Sequence, residues 1–287
     1  QMNDNEVKYG KCALCDTENT ILIKSHSIPK FAYDWIKNTS KTPYLRDIND
    51  VNKRHQDGPK EYLLCTDCEI NLSVLEKKLS NEVFKKIANY REQKKDIVVS
   101  EEIRLAILSV FWRALLTTQK NPNDRTPEDS SLLDDFLHSA KTQILSGECK
   151  TKIFITPFYG DPPYYNLPSY LTYGLERSIG SQDVRFYDNP HRFFAVFNLP
   201  FIYFHIFSDN WNVDEINKSA ELKKGTIDLS SIKQIPNTLR SYILHMHKQF
   251  EKSATNMDQE NIMKIMNDTA KNTKLTGSDK SIQRAKK

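Results

Sequence analysis

The run Leu63-Leu64-Cys65-Thr66-Asp67-Cys68-Glu69, read together with Cys12-Ala13-Leu14-Cys15, decides how this chain folds at its N-terminal end. Each Cys-x-x-Cys presents two thiolates from one tight turn, and two such turns complete a tetrahedral zinc shell. Cys65 follows Cys15 by a step of fifty positions, longer than in a simple zinc ribbon, and an inserted loop accounts for it. Two pairs in one domain are a specific signal. The alternative, a thioredoxin-type redox pair, needs a βαβ pattern, and none surrounds either pair. One structural Zn²⁺ held by Cys12, Cys15, Cys65 and Cys68 is therefore expected. The fifth cysteine, Cys149, stands alone in a polar stretch and reads as incidental.

Working outward, Asn19 to Ser25 is short, β-branched and apolar at its centre, which suits a strand, and Glu61 to Leu64 reads as a second strand running into Cys65. Between them, Pro29 to Lys37 reads as a short helix with Phe31, Trp35 and Ile36 inward, followed by a polar loop to Lys60. From Cys68 a long helix is expected, because Leu72, Leu75, Leu79, Val83 and Ile87 recur at spacings of three and four. The charged segment Arg91 to Asp96 ends it. A second helix carries Ile103, Ala106, Ile107, Val110, Phe111, Ala114 and Leu115 on one face. Ser100 is its expected cap, with Glu101 and Glu102 in the first turn. A third opens at Thr126 with Pro127 at its first position and runs to about Leu145.

The texture then changes. Lys152 to Phe158, Val184 to Tyr187, Arg192 to Phe197 and Phe201 to Phe207 are aromatic and β-branched, bounded by Gly, Pro, Asn and Asp, and predict a small antiparallel sheet. Residues 237–250 and 259–270 read as two further helices. Lys271 to Lys287 is polar and basic and reads as a frayed tail. The expectation is an α+β fold in three parts. Residues 1–95 form a four-cysteine zinc module, 96–148 a helical connector, and 149–287 a small sheet with C-terminal helices and a basic tail.

Between the cysteine pairs lies Lys24-Ser25-His26-Ser27-Ile28-Pro29-Lys30, which puts a histidine at the end of a strand; Glu69 follows the second pair at a helix start. The order is knuckle, strand, histidine, strand, knuckle, acidic residue on a helix. It resembles the HNH, or His-Me finger, nucleases, in particular the zinc-stabilised branch that includes phage endonuclease VII. The resemblance rests on Ser25-His26 and on the Leu-Leu-Cys-x-x-Cys-Glu run, and covers roughly the first 80 residues. The run Ser-His-Ser-Ile-Pro-Lys, with Ser73 and Glu76 further on, also looks like an uncharacterised bacterial HNH-like group associated with phage defence.

The resemblance implies a zinc-clamped ββα-metal, treble-clef-like module that cleaves phosphodiester bonds of DNA, RNA being the other substrate to consider. His26 would be the general base, its free side chain titrating at about 6.5. Glu69 would hold a catalytic Mg²⁺ or Mn²⁺, a carboxylate being a hard ligand for such ions. The family's aspartate before the histidine is Ser25 here, a poorer ligand, so metal affinity should fall. Glu76 lies two helical turns beyond Glu69, about 10 Å along the axis. It reads as an ordinary exposed charge.

Plainer roles are open to each residue. His26 can finish a strand by bonding a backbone carbonyl, and Glu69 can serve only as a carboxylate at a positive helix end. With its metal lost, the module would be a binding platform for nucleic acid or a partner protein. Lys30, Lys53, Arg54 and Lys60 lie in or beside the insertion and are candidate phosphate contacts, or else form a solvated loop balanced by Asp47, Asp50 and Asp57. His55 reads as a surface histidine. The spacing of Arg185 and His191 approaches that of some ribonucleases, but aromatic strands surround them, which argues against a site. The tyrosine-rich patch of Tyr159, Tyr164, Tyr165, Tyr170 and Tyr173 can stack bases; core packing with surface hydroxyls accounts for it better.

Composition bounds the rest. The 287 residues are 38% hydrophobic and 27% charged, an ordinary globular balance, and the net charge of +4 permits nucleic-acid binding without arguing for it. The first twenty residues hold no apolar signal region, Gln1 precedes a natural start expected at Met2, and Phe193 to Phe207, broken by Asn198 and Pro200, reads as two buried strands rather than a membrane span. A cytoplasmic protein is expected, its cysteines kept as thiols unless a metal takes them. The C-terminal half is the candidate surface for self-association or a protein partner.

Overall fold

The computed structural model describes residues 7–42, 44–46, 50–122 and 124–287. Met2 and Asp47 lie outside the described residues. The chain opens with β1 (Lys8–Gly10), the Cys12–Cys15 turn and β2 (Thr20–His26). Then come α1 (Lys30–Thr39), the two-residue strands β3 (Leu45–Arg46) and β4 (Arg54–His55), and β5 (Lys60–Cys65). β2 lies between β1 and β5 in an antiparallel sheet, and its register puts His26 opposite Lys60 and Leu22 opposite Cys65. The expected polar loop therefore contains a small hairpin, since β3 pairs with β4. In α1, Ala32, Tyr33 and Ile36 are buried; Phe31 and Trp35 are half-covered and pack on Phe84 at 5.0 and 5.9 Å between ring centres.

β5 runs straight into α2 (Thr66–Leu79), a π-helical turn over Ser80–Phe84, and α3 (Lys85–Ile87). The wide turn inserts one residue into the helical phase, and Leu79, Val83, Phe84 and Ile87 all stay buried across it. A strand absent from the expectation follows. β6 (Asp96–Val99) alternates exposed and buried, and pairs antiparallel with a strand 129 residues later, Asp96 opposite Asp228. The charged start hides this strand from a reading of local composition.

α4 (Glu101–Gln119) is capped by the Ser100 side chain, and α5 (Pro127–Ser146) by a Thr126–Asp129 capping box, both as expected. α4 is the central helix, with eleven of its residues buried from Ile103 to Leu115. Next come β7 (Phe154–Pro157), α6 (Thr172–Arg177), β8 (Gly180–Tyr187), β9 (Arg192–Leu199) and β10 (Ile202–Phe207). They form the expected antiparallel sheet in the order β7-β10-β9-β8. Every residue of β9 after Arg192 is buried, so both faces are covered. α7 (Val213–Asn217) and β11 (Gly225–Asp228), the partner of β6, lead to α8 (Asn237–Ala254) and α9 (Gln259–Lys271).

The expected frayed tail is instead a helix, α10 (Gly277–Ala285). Its Ser281 and Arg284 bond the two oxygens of Glu176, at 2.6 and 2.7 Å, and Glu176 is fully buried. Gly277 allows the close approach: a Cβ there would meet Tyr90, Arg177 and Thr39 within 3 Å. A buried carboxylate in the α6 segment thus orders a polar segment that has no apolar face of its own. The fold is α+β, and one contiguous hydrophobic core runs from Cys12 to Ile243. Among the described residues, no helix is long and apolar enough to cross a membrane.

Candidate metal centre and histidine cleft

The four predicted cysteines converge. Cys12 and Cys15 come from the β1–β2 turn, Cys65 ends β5, and Cys68 sits in the first turn of α2. Their sulfurs lie within 4.8 Å of one another, with Cys15 and Cys65 Sγ 3.7 Å apart. A tetrahedral zinc with bonds of about 2.3 Å sets its sulfurs about 3.8 Å apart, so the cluster can hold a metal such as zinc. The Cys65 amide donates to Cys12 Sγ at 3.3 Å, the kind of amide–sulfur bond that stabilises a thiolate. Hydrogen bonding from Thr17 brings the Cys15 thiol down to about 6. Cys149 lies apart, buried with its thiol toward the Thr151 carbonyl.

The same elements bring His26 and Glu69 to one side of the β2–β5 hairpin. The His26 ring is held on two sides. Its Nε2 meets Asp57 Oδ1 at 2.8 Å, and its ring centre lies 5.5 Å from that of Tyr33, the two rings tilted by 30°. Asp57 also receives Lys60 at 2.8 Å and the Gly58 amide at 3.0 Å. Burial raises the Asp57 pKa, yet the hydrogen bonds from Lys60, His26 and Gly58 prevail and hold it well below the carboxylate range. Asp57 is therefore an anion and acts as the acceptor, so His26 donates its Nε2 hydrogen to it. Gly58 makes the Tyr33 contact possible, because a Cβ there would stand 2.2 to 2.7 Å from the Tyr33 ring.

Glu69, in the first turn of α2, is half-buried, and its Oε2 has no hydrogen-bond partner. Burial pushes its carboxyl up from the ordinary range, while the adjacent Ser25 hydroxyl and the Arg113 guanidinium pull it down. A buried, unpartnered carboxylate oxygen beside a serine hydroxyl is an acceptor set suited to a hard cation.

Two groups that local sequence reasoning passed over complete the site. Arg113 of α4, 2% exposed, donates to the His26 carbonyl at 2.9 Å and to Glu76 Oε1 at 2.5 Å. Glu76 is thus not the expected exposed charge, since it is paired beneath the hairpin with its side chain 18% exposed. Ser73, in contrast, is exposed and turns its hydroxyl onto the Ile70 carbonyl. Asp57, expected only as a counter-charge, is the partner of the histidine.

The candidate phosphate contacts separate into two groups. Lys60 pairs with Asp57, and Lys30 opens α1 and pairs with Asp34 at 2.7 Å. Lys53 and Arg54 are on or beside the β3–β4 hairpin, where Arg54 lies 4.2 Å over the Tyr44 ring. That hairpin leans on the C-terminal helices: Tyr44 bonds Asp268, and Asn52 bonds the Asn256 carbonyl. His55 Nε2 is buried without a partner. Elsewhere, Arg185 pairs with Asp183, while His191 meets Asp129 and Asp188 at 3.3 and 3.2 Å in the turn before β9. Of the tyrosine patch, Tyr164 is buried on Glu176 and Tyr170 is exposed. No family model, curated protein or solved structure matches this chain.

Proposed function

We propose that the chain is a metal-dependent endonuclease of the His-Me finger type that hydrolyses phosphodiester bonds in DNA. The observation that carries this reading is the pairing of two groups across one hairpin. A histidine held through Nε2 by an ionised aspartate, His26, stands near a helix-start glutamate with a buried, unpartnered oxygen, Glu69. Both stem from the strands and helix that bring the four cysteines together, so the structural zinc sets their separation.

In this mechanism His26 Nδ1 takes a proton from a water molecule as the water oxygen bonds to phosphorus. The bond from phosphorus to the leaving oxygen breaks, and that oxygen takes up a proton from solvent. Asp57 holds the imidazole in the required tautomer and stabilises the imidazolium that forms. Glu69 and Ser25 would hold Mg²⁺ or Mn²⁺, which when bound neutralises the charge building on the phosphate oxygens. Lys30 and Lys60 flank the histidine and position the strand by its backbone. Thiolate ligation of zinc favours a reducing, cytoplasmic setting, and a phage-defence effector is the corresponding biological role.

Supercoiled plasmid treated with Mg²⁺, Mn²⁺ or EDTA tests the reading, with His26→Ala and Glu69→Gln as comparisons and an RNA of matched length in parallel. Metal-dependent nicking by wild type that both variants lose supports it; a folded, zinc-loaded protein that cuts nothing with any metal overturns it.

One observation favours a second reading. Arg113 already supplies a buried positive charge close to Glu76 and Glu69, and Ser25 stands where the family has aspartate. A module relieved of its metal would bind nucleic acid or protein without cutting. Ser25→Asp separates the readings: a nuclease gains metal affinity and rate, whereas a binding module gains nothing.

A further inference from the structure

A cleft lies where α10 docks on the N-terminal module, and His26 is not part of its lining. It is an open groove of about 620 Å³ between the C-terminal end of α1, the segment after α3 and the start of α10, comparable in volume with small-molecule sites, about 300–1,000 Å³. Its walls carry four cations, Lys85 and Arg91 from the module side and Lys274 and Lys280 from the C-terminal side. Among the described residues, no aspartate or glutamate lines it.

Among the described residues, none of these cations has a carboxylate partner. Lys85 bonds only the Asn81 amide oxygen, and Lys280 lies 5.9 Å over the Tyr90 ring. The nearby Asp279 is already committed to Lys41, to the Thr276 amide and to the Thr276 hydroxyl. Four like charges around one concavity repel one another, and a bound polyanion would turn that cost into attraction. The remaining lining suits a planar heterocycle rather than a bare anion. Leu275 and Trp35, whose ring also stacks on Tyr90 at 5.8 Å, supply apolar wall; Asn38 and Asn272 supply donors and acceptors, and Asn89 its amide N–H, its oxygen being taken by the Arg91 and Glu92 amides.

The geometry points to a binding site for a nucleoside triphosphate, its phosphates among Lys85, Arg91, Lys274 and Lys280 and its base against Trp35 and the asparagines. Because two cations come from each side, occupancy ties the α10 segment to the module. The site is independent of the nuclease reading, since it needs neither His26 nor Glu69.

Calorimetric titration of the full-length, zinc-loaded protein with each of the four ribonucleoside triphosphates, with no added Mg²⁺ or Mn²⁺ and in about 0.15 M salt, tests it without any cleavage. The expected result is saturable binding of at least one triphosphate, with inorganic tripolyphosphate weaker by about tenfold or more for want of a base. Lys85→Ala/Lys274→Ala should weaken binding at least about tenfold, since each charge-assisted hydrogen bond lost exceeds one decade in affinity. Lys150→Ala, on an exposed side chain elsewhere, should leave binding unchanged. Both lysines of the double variant are exposed, so a matching melting temperature confirms its fold. Bound triphosphate should also slow hydrogen exchange across residues 272–285. No saturable binding, binding indifferent to the double substitution, or tripolyphosphate binding as tightly as every nucleotide overturns the inference. A single-stranded oligonucleotide that binds with the same lysine dependence when no triphosphate does also overturns it, and makes the cleft a strand contact.

Discussion

Replacing Arg113 with alanine should unsettle the whole N-terminal module, and the size of the effect follows from what the guanidinium touches. The side chain is 2% exposed and bonds Glu76 at 2.5 Å, the His26 carbonyl at 2.9 Å and the Ser109 carbonyl at 3.2 Å. Breaking a buried ion pair by removing one partner costs roughly 3–5 kcal/mol, because the other charge is stranded. The Glu76 side chain is 18% exposed and regains some water, which puts the expected loss near the lower end, about 3 kcal/mol. At about 2–4 °C per kcal/mol for a chain of this size class, the melting temperature should fall by roughly 6–12 °C. Calorimetric melting at neutral pH reads this directly. Arg113→Met combined with Glu76→Leu removes both charges and keeps the volume, so it should recover most of the loss. A fall of less than about 2 °C for the single variant, or no recovery in the double one, refutes the argument that a stranded charge sets the cost.

Four other outcomes are expected. The protein should carry one equivalent of zinc by elemental analysis, and Cys68→Ser should lose both zinc and the folded module, since thiolate-site binding energies of about 10–16 kcal/mol match or exceed a whole domain's stability. Asp57→Asn should flatten stability in acid. The native carboxyl titrates below its ordinary value of 3.8, so its contribution is present above that pH and disappears as the pH falls further; urea midpoints measured from pH 6 to pH 2 check it. Gly58→Ala should destabilise by about 1–3 kcal/mol in denaturant melts, because the new methyl meets the Tyr33 ring. Glu176→Gln should release α10, read as faster proteolysis within residues 272–287, since Arg284 loses its charged acceptor.

What could be read in advance was whatever local spacing encodes. The two Cys-x-x-Cys pairs, the Ser100 and Thr126 caps and the four aromatic strands carry their structure within a few residues, and each lies where expected. The misses share a different cause. Asp57 reaches His26 across 31 positions and Arg113 reaches the His26 carbonyl across 87, so neither contact leaves a trace in its own neighbourhood. Arg113 interrupts an apolar helix face and looks like a surface charge until a partner is brought beneath it. β6 begins with Asp96 directly after Lys94 and Lys95, and is a strand only because Gly225–Asp228 returns to pair with it. α10 has no apolar stripe to announce it; Ser281 and Gly277 are its only buried residues.

The bond between Glu176 and Arg284 spans 108 positions of chain. During synthesis, Glu176 leaves the ribosome long before its cation exists, at about 5–20 residues per second. Until Arg284 is free of the ribosome the nascent protein lacks the cation that neutralises this carboxylate, so α10 has no charged anchor on the α6 segment. A chain that stops short of Arg284 should therefore leave the start of α10 without its ionic tether, beside a carboxylate stranded without its cation.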